Sequence, residues 1–204
     1  MSGQKTWRKG VRGMSLVEAA VILAVVGIVL AVTLPGLGEA RRVAVLGGAA
    51  RQIHGLLYRC RVIAIMKQQA HALVFERRDD GSWRCFIAGD GDGDGILRRD
   101  IQRLVDPIVG EVVFFEAGDA GLGILRSEFV PDPSGRGRLR GNLGDPVRAG
   151  RGDIITFTPR GTATPSSLYF TDHHARMRVL RVYGGTGRVV QLVWQSGWAK
   201  WRPI

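Results

Sequence analysis

The stretch "KGVRGMSLVEAAVILAVVGIVLAVTLPG", Lys9 to Gly36, decides how this chain begins to fold. The 21 residues from Met14 to Leu34 carry one charge, on Glu18, and are otherwise rich in valine, isoleucine, leucine and alanine. As a helix, this run is about 30 Å long, which is the thickness of the hydrocarbon core of a bilayer. Hydropathy therefore predicts a membrane-spanning helix over residues 14–35.

A basic leader precedes the apolar run and contains no acid. Its charged residues are Lys5, Arg8, Lys9 and Arg12. Such a bias holds the amino terminus in the cytoplasm. A cleaved secretory signal is one alternative, but its apolar region of about 7–15 residues is shorter than this run. An uncleaved signal anchor is another, and it leaves Glu18 unexplained because a carboxylate is costly in lipid.

The order of residues around Gly13 is similar to a known processing site. The segment Gly13 to Glu18, GMSLVE, resembles the GFTLIE amino terminus of type IV prepilins and pseudopilins, and Pro35 stands where many pilins carry a proline. The resemblance implies that a prepilin peptidase cuts between Gly13 and Met14 and methylates the new amine of Met14. It also implies a single-pass protein of the bacterial inner membrane with a periplasmic head, which then enters a pilus or pseudopilus.

The acid in the apolar run has a role in this interpretation. Glu18 follows Met14 by four residues, so the two lie on the same helix face. In a bundle of such helices the Glu18 carboxylate can pair with the Met14 amine of a neighbouring subunit, because a buried charge is tolerated when it is paired. The sequence therefore predicts that Glu18 sets the axial register of assembling subunits.

A second helical pattern follows, over residues 36–70. Apolar residues recur there every three to four positions, at Val43, Leu46, Ala50, Ile53, Leu57, Cys60 and Ala64. This spacing predicts an amphipathic continuation of the first helix that packs on a sheet. Gly47 and Gly48 weaken this helix by about 1 kcal/mol each relative to alanine.

From residue 71 the hydrophobic period changes to two. The candidate strands are His71–Arg77, Ser82–Ala88, Glu111–Glu116, Ile124–Val130, Asp153–Pro159, Ser167–Asp172, Arg176–Tyr183 and Gly187–Trp194. A long helix followed by antiparallel strands predicts an α+β fold with a β-rich head over residues 71–204. The helix-to-strand junction, Ile155–Ala163 and Gly187–Trp194 are similar to GspH/FimT-like minor pseudopilins, which implies a pilin-like fold.

The sequence DGDGDGILRRD, residues 90–100, repeats the spacing of the first half of an EF-hand loop. Its candidate calcium ligands are Asp90, Asp92, Asp94, the carbonyl of Ile96, and Asp100. The last ligand position of an EF-hand loop holds Ile101 here, and Asp100 stands one place early. A structural calcium ion and a solvated Asp-Gly turn are therefore the two interpretations of this loop.

Basic residues exceed acidic ones along the chain. The 204 residues carry a net charge of +11, and without the leader 25 basic residues stand against 18 acidic ones, which leaves +7. A glycine- and arginine-rich loop near residues 135–152 contains Arg136, Arg138, Arg140, Arg148 and Arg151. Such a loop can contact phosphates; a solvated surface loop is the other interpretation.

Nucleic acid is a further partner to weigh. Some FimT-like pilins bind DNA through a carboxy-terminal GRxR motif during natural transformation. The matching segment here keeps the first arginine, Arg188, and has Val190 in place of the second. A DNA-binding minor pilin that uses Arg136, Arg138, Arg140 and Arg188 is therefore the alternative function.

Two cysteines and the absence of catalytic motifs complete the sequence-based picture. Cys60 and Cys85 are expected on neighbouring elements, where they form either a disulfide or two buried free thiols. No nucleophile stands beside a base, and no set of metal ligands has catalytic spacing. We therefore expect a non-enzymatic pseudopilin or pilin of a type II secretion or type IV pilus machine, with no required cofactor. Its partners would be prepilin peptidase, other pilins and the inner-membrane assembly platform.

Overall fold

The computed structural model describes residues 15–116, 120–126, 129–135, 137–150 and 152–204, and it describes only the backbone of residues 32–37. The leader, Gly13, Met14, Arg136 and Arg151 lie outside the described residues. The chain divides into two compact units, residues 1–41 and 42–204. Each unit is described by itself below.

Helix α1 extends from Leu16 to Lys67 and includes Pro35. It begins where the hydroxyl of Ser15 accepts a hydrogen bond from the backbone N–H of Val17 at 3.3 Å. This is a helix cap that satisfies one of the unpaired amides of the first turn. Glu18 lies in that first turn, where a negative charge complements the helix dipole. Over the residues that the structure describes, none of the helices combines the length and hydropathy that a membrane crossing requires.

The second unit contains the carboxy-terminal part of α1 and all of the strands. The other elements are β1 (His71–Arg77), β2 (Trp83–Gly89), α2 (Arg98–Gln102), β3 (Ile108–Phe115), β4 (Gly121–Leu122), β5 (Val147–Ala149), β6 (Ile154–Phe157), β7 (Ser166–Thr171), β8 (Arg176–Tyr183), β9 (Arg188–Gln195) and β10 (Arg202–Pro203). The fold is therefore α+β, with one long helix and antiparallel strands, as the sequence predicts.

The strands form two antiparallel sheets. Sheet 1 has four strands in the order β3-β2-β1-β6. Sheet 2 has six strands: its main order is β10-β9-β8-β7-β4, and β5 pairs with the same edge of β7 as β4 does. Sequence neighbours β1 and β2, β7 and β8, and β8 and β9 pair as hairpins, so much of the topology is local.

The predicted apolar stripe of α1 is confirmed from Leu46 to Ala64, whereas Val43, its first predicted member, is half-buried and lies outside the shared core. Its buried members, all at most 2% exposed, are Leu46, Ala50, Ile53, Leu57, Cys60 and Ala64. They share one hydrophobic core with the inner faces of both sheets. A Cβ atom at Gly47 would lie 3.1 Å from Nη1 of Arg51 and 3.3 Å from Nη2 of Arg178, so glycine leaves room for these two guanidinium groups.

Two smaller clusters cover the outer faces of the sheets. Ile96 and Ile101 pack on the outer face of sheet 1, beside Val74 and Phe86. The outer face of sheet 2 is covered by apolar side chains from the 124–139 segment and the carboxy terminus. Trp194 lies in this second cluster at 2% exposed, which confirms its predicted place in the core.

Most strands fall where the hydrophobic period places them. The predicted bounds of β1 and β8 match the structure residue for residue, and those of β2, β3, β6, β7 and β9 agree to within three residues. The strand predicted over Ile124–Val130 is wrong: its described residues are irregular. Ile124, Leu125 and Val130 are nevertheless buried, because this segment packs as a loop on sheet 2. The strand prediction failed because these apolar residues pack on the sheet without forming a hydrogen-bonded strand of it.

Candidate functional site

The amino-terminal part of α1 presents an apolar surface on all of its sides. Its large exposed apolar side chains, which are 46–86% exposed, are Leu16, Val17, Val21, Ile22, Leu23, Val25, Val26, Ile28, Val29 and Leu30. A helix that is hydrophobic all round is normally buried in protein or lipid. Large contiguous apolar patches are rare on the surfaces of soluble monomers and mark interaction sites. Among the residues that the structure describes in this unit, none buries this apolar helix surface, which therefore has the character of an interaction surface.

Glu18 is the one charged residue among positions 15–34. Its side chain is exposed in the first turn of α1, and no described basic group forms an ion pair with it. A carboxylate in this place can accept an ion pair from an amine that another molecule brings to the helix end. Gly13 and Met14, the predicted cleavage and methylation positions, lie outside the described residues.

The acidic loop brings three of its predicted ligands together. One carboxylate oxygen from each of Asp90, Asp92 and Asp94 lies within 4.8 Å of the others. A hydrogen bond with Asp92 and the negative charge of Asp92 raise the pKa of the Asp94 carboxyl, while the positive charge of Arg99 opposes the shift. A divalent cation bound between such closely spaced carboxylates would stabilise their charged forms.

The other two predicted ligands have different surroundings. Asp100 accepts a hydrogen bond from Nε of Arg99 at 3.0 Å, and this contact raises the pKa of Arg99. The side chain of Ile96 is buried on the outer face of sheet 1. The loop is therefore anchored to the sheet by an apolar residue two positions after Asp94.

A buried acid that sequence reasoning missed closes this loop. Asp106 is fully buried, and its two carboxylate oxygens accept backbone hydrogen bonds from Gly91 and Leu97, each at 3.0 Å. Gly91 must be glycine because a Cβ atom there would overlap the carbonyl oxygen of Val105. Gly93 has a φ of +87°, a left-handed conformation that favours glycine. The backbone thus explains glycines in the Asp-Gly repeat without a metal, and nothing in the motif indicated Asp106.

Calcium binding by this loop stays a prediction. We expect the full-length chain in a neutral detergent to bind calcium with a dissociation constant of about 10⁻⁴–10⁻³ M, the range of extracellular calcium modules. Isothermal titration calorimetry would measure it. The double substitution Asp92→Ala/Asp94→Ala should abolish the heat, and Asp79→Ala/Glu111→Ala, which removes two exposed carboxylates elsewhere, should not. A wild-type titration that matches the Asp92→Ala/Asp94→Ala background would rule calcium out.

The predicted DNA-contacting arginines are exposed wherever they are described. Arg138 lies over the ring of Phe129 at 5.9 Å, and Arg188 begins β9 directly opposite Tyr183 of β8. Arg140 is also exposed. Sequence reasoning found no aromatic residue within the arginine-rich loop, but the fold places the ring of Phe129 beside Arg138 and pairs Arg188 with Tyr183 across two strands.

The two cysteines are free thiols in the structure, so the predicted alternative of a disulfide is not formed. Both lie in the core that α1 shares with the sheets. Burial raises the pKa of Cys60 far above its ordinary value and that of Cys85 to about 12. At neutral pH both are therefore protonated and act as small apolar core residues.

The described residues thus offer an apolar helix surface with one acid, a cluster of three carboxylates, and exposed arginines beside aromatic rings. None of these arrangements places a nucleophile beside a base. No protein-family model, curated protein or solved structure matches this chain.

Proposed function

We propose that this chain is a prepilin-like subunit, a minor pseudopilin or pilin that assembles into a filament and has no enzymatic role. The observation that carries the proposal is the apolar helix surface, on which Glu18 is the one charge. The GMSLVE sequence around that acid and the α+β head support the same interpretation, including a pilin-like fold. The filament would be a type II secretion pseudopilus or a type IV pilus.

The apolar helix surface would be buried in two successive environments, first lipid and then protein. Before assembly, the lipid of the inner membrane surrounds it, with the basic leader on the cytoplasmic side and the head in the periplasm. After assembly, the same surface packs against helices of neighbouring pilins. Removal of the leader by prepilin peptidase creates the Met14 amine, which pairs with Glu18 of a neighbour at the assembly platform. Apolar packing supplies attraction, and the single ion pair selects one register.

Processing is the first test of this proposal. In cells with an active prepilin peptidase, mass spectrometry should find a chain that lacks residues 1–13 and starts at N-methylated Met14. Gly13→Val should block cleavage because the resemblance implies a peptidase site that accepts a residue without a side chain. Gly10→Val, which makes the same change within the leader, should be processed normally. Intact wild-type chains that keep Met1 in such cells would contradict the proposal.

A DNA-binding minor pilin for DNA uptake is the second candidate function. It is favoured by the exposed Arg138 and Arg188, each of which has an aromatic neighbour and no ion pair to a described acid. Phosphate contacts by such arginines release counterions, so affinity for DNA falls as salt rises.

A salt series with double-stranded DNA and the full-length chain in detergent would test this candidate. We expect an affinity that falls steeply with salt, with a shallower slope in the triple variant Arg138→Gln/Arg140→Gln/Arg188→Gln, because each lost phosphate contact reduces the slope by about 0.9. The control Arg103→Gln/Arg160→Gln neutralises two exposed arginines elsewhere. An absence of binding at low salt would leave these arginines as solvated surface.

A further inference from the structure

Three strands of sheet 2 bring two arginines and a serine into one row. Ser167 of β7 pairs with Arg148 of β5 on one side and with Arg181 of β8 on the other. Residues that are directly opposite in an antiparallel pair lie on the same face of the sheet. All three are half-buried. The row therefore places one arginine on each side of Ser167 on this face of the sheet.

This row lines a groove of about 290 Å³ on sheet 2, with Pro165 and Tyr183 among its other lining residues. Aromatic rings hold both arginines: Arg148 lies 5.2 Å from the ring centre of Tyr169, and Arg181 lies 5.5 Å from that of Tyr183. Contact with an aromatic face restricts a guanidinium group without using its N–H donors. The two cationic groups are thus held in place before any ligand arrives.

Within the described part of the chain, neither arginine has an acidic partner. Among the described residues, each guanidinium donates one hydrogen bond. Nη2 of Arg148 donates to the carbonyl of Asn142, and Nη1 of Arg181 donates to the carbonyl of Pro133, both at 3.3 Å. Each guanidinium has five N–H donors, so most of them remain available.

Two described acids from the segments before β5 have hydrogen-bond partners of their own. Asp132 lies close enough for its charge to act on Tyr169, but its Oδ1 accepts hydrogen bonds from the amide and hydroxyl of Ser134. Asp145 accepts a hydrogen bond from the backbone N–H of Val147. The positive charge of the row is therefore not neutralised by an ion pair within the described residues.

We infer that this groove binds an oxyanion of phosphate geometry, held by the guanidinium groups of Arg148 and Arg181 and by the hydroxyl of Ser167. A phosphate has enough acceptor oxygens for both arginines, and charge-assisted hydrogen bonds of this kind are the strong ones. Because neither guanidinium forms an ion pair with a described acid, an anion can bind to their remaining N–H donors without displacing a salt bridge of the described residues. The phosphate is carried either by a small molecule or by a nucleic-acid strand.

Isothermal titration of inorganic phosphate into the full-length chain in neutral detergent would test this inference, with ionic strength held constant by chloride. We expect saturable binding at one site. Arg148→Gln/Arg181→Gln should weaken it at least tenfold, and Ser167→Ala, which keeps both charges, should weaken it severalfold. Arg103→Gln/Arg160→Gln should bind as the wild type does. Thermal unfolding of each variant would show that it is folded.

Two results would overturn the inference: no saturable phosphate binding by the wild type, or equal affinities in the wild type and in a folded Arg148→Gln/Arg181→Gln variant. If that variant does not fold, unchanged affinity in Ser167→Ala and in the conservative Arg148→Lys/Arg181→Lys variant would overturn it equally. When phosphate binds, an octathymidylate competitor identifies the carrier: displacement indicates a nucleic-acid strand, and no displacement indicates a small phosphate. The site does not depend on the proposed function, whose failure would appear separately in the processing test.

Discussion

In the filament proposed above, replacing Glu18 by alanine is expected to exclude this chain while leaving the proposed cleavage after Gly13 intact. The charged amine of Met14 would still enter the helix bundle, but no carboxylate would meet it. Removing one partner of a buried ion pair costs about 3–5 kcal/mol, because the other charge is left uncompensated. Such a cost predicts a fall of roughly 100-fold or more in the amount that assembles.

Fractionation would measure this effect. Sheared filaments and inner membranes would be separated, and the chain would be quantified in both. Glu18→Gln keeps the shape of the side chain and loses its charge, so it should fail as the alanine variant does. Glu111→Ala, which removes an exposed acid from β3, should assemble normally. Wild-type amounts of Glu18→Ala in filaments would show that the acid does not set the register.

Sequence patterns identified the elements whose side chains repeat with a regular period. The stripe from Leu46 to Ala64 follows the period of a helix because one side of α1 faces the core, and each of its buried members was predicted. The strand over Ile124–Val130 failed because its apolar residues cover sheet 2 as a loop. Elements as short as β4 and β10, with two residues each, show no period at all.

The candidate sites that were predicted are those whose residues lie close together in the sequence, and those that were missed depend on the fold. Asp90, Asp92 and Asp94 were found because their ligand spacing is local in the chain. Asp106 was missed because its role is to accept backbone hydrogen bonds across the loop, which leaves no pattern. The row from Arg148 to Arg181 depends on the register of three strands, and register is a property of pairing that composition cannot supply.

The core between α1 and the two sheets yields the second large effect, from Phe75→Ala. Phe75 lies on β1, an inner strand of sheet 1, is fully buried, and belongs to the core that α1 and both sheets share. Deleting a buried phenyl ring leaves a cavity as well as losing its transfer free energy. We expect the free energy of unfolding to fall by about 3–5 kcal/mol.

The chain contains a matched control for this substitution. Phe114 is on the edge strand β3, is 57% exposed, and has Arg78 at 5.9 Å from its ring centre. Phe114→Ala removes the same atoms, but most of the Phe114 ring is exposed in the wild type. The free energy of unfolding should therefore fall by about 1 kcal/mol or less. Urea unfolding of the full-length chain in detergent, followed by tryptophan fluorescence, would compare the two. Equal losses in the free energy of unfolding would mean that Phe75 does not stabilise the packing of α1 on the sheets. A larger loss for Phe75→Ala, at an unchanged m-value, would locate the stabilising core where α1 and the two sheets meet.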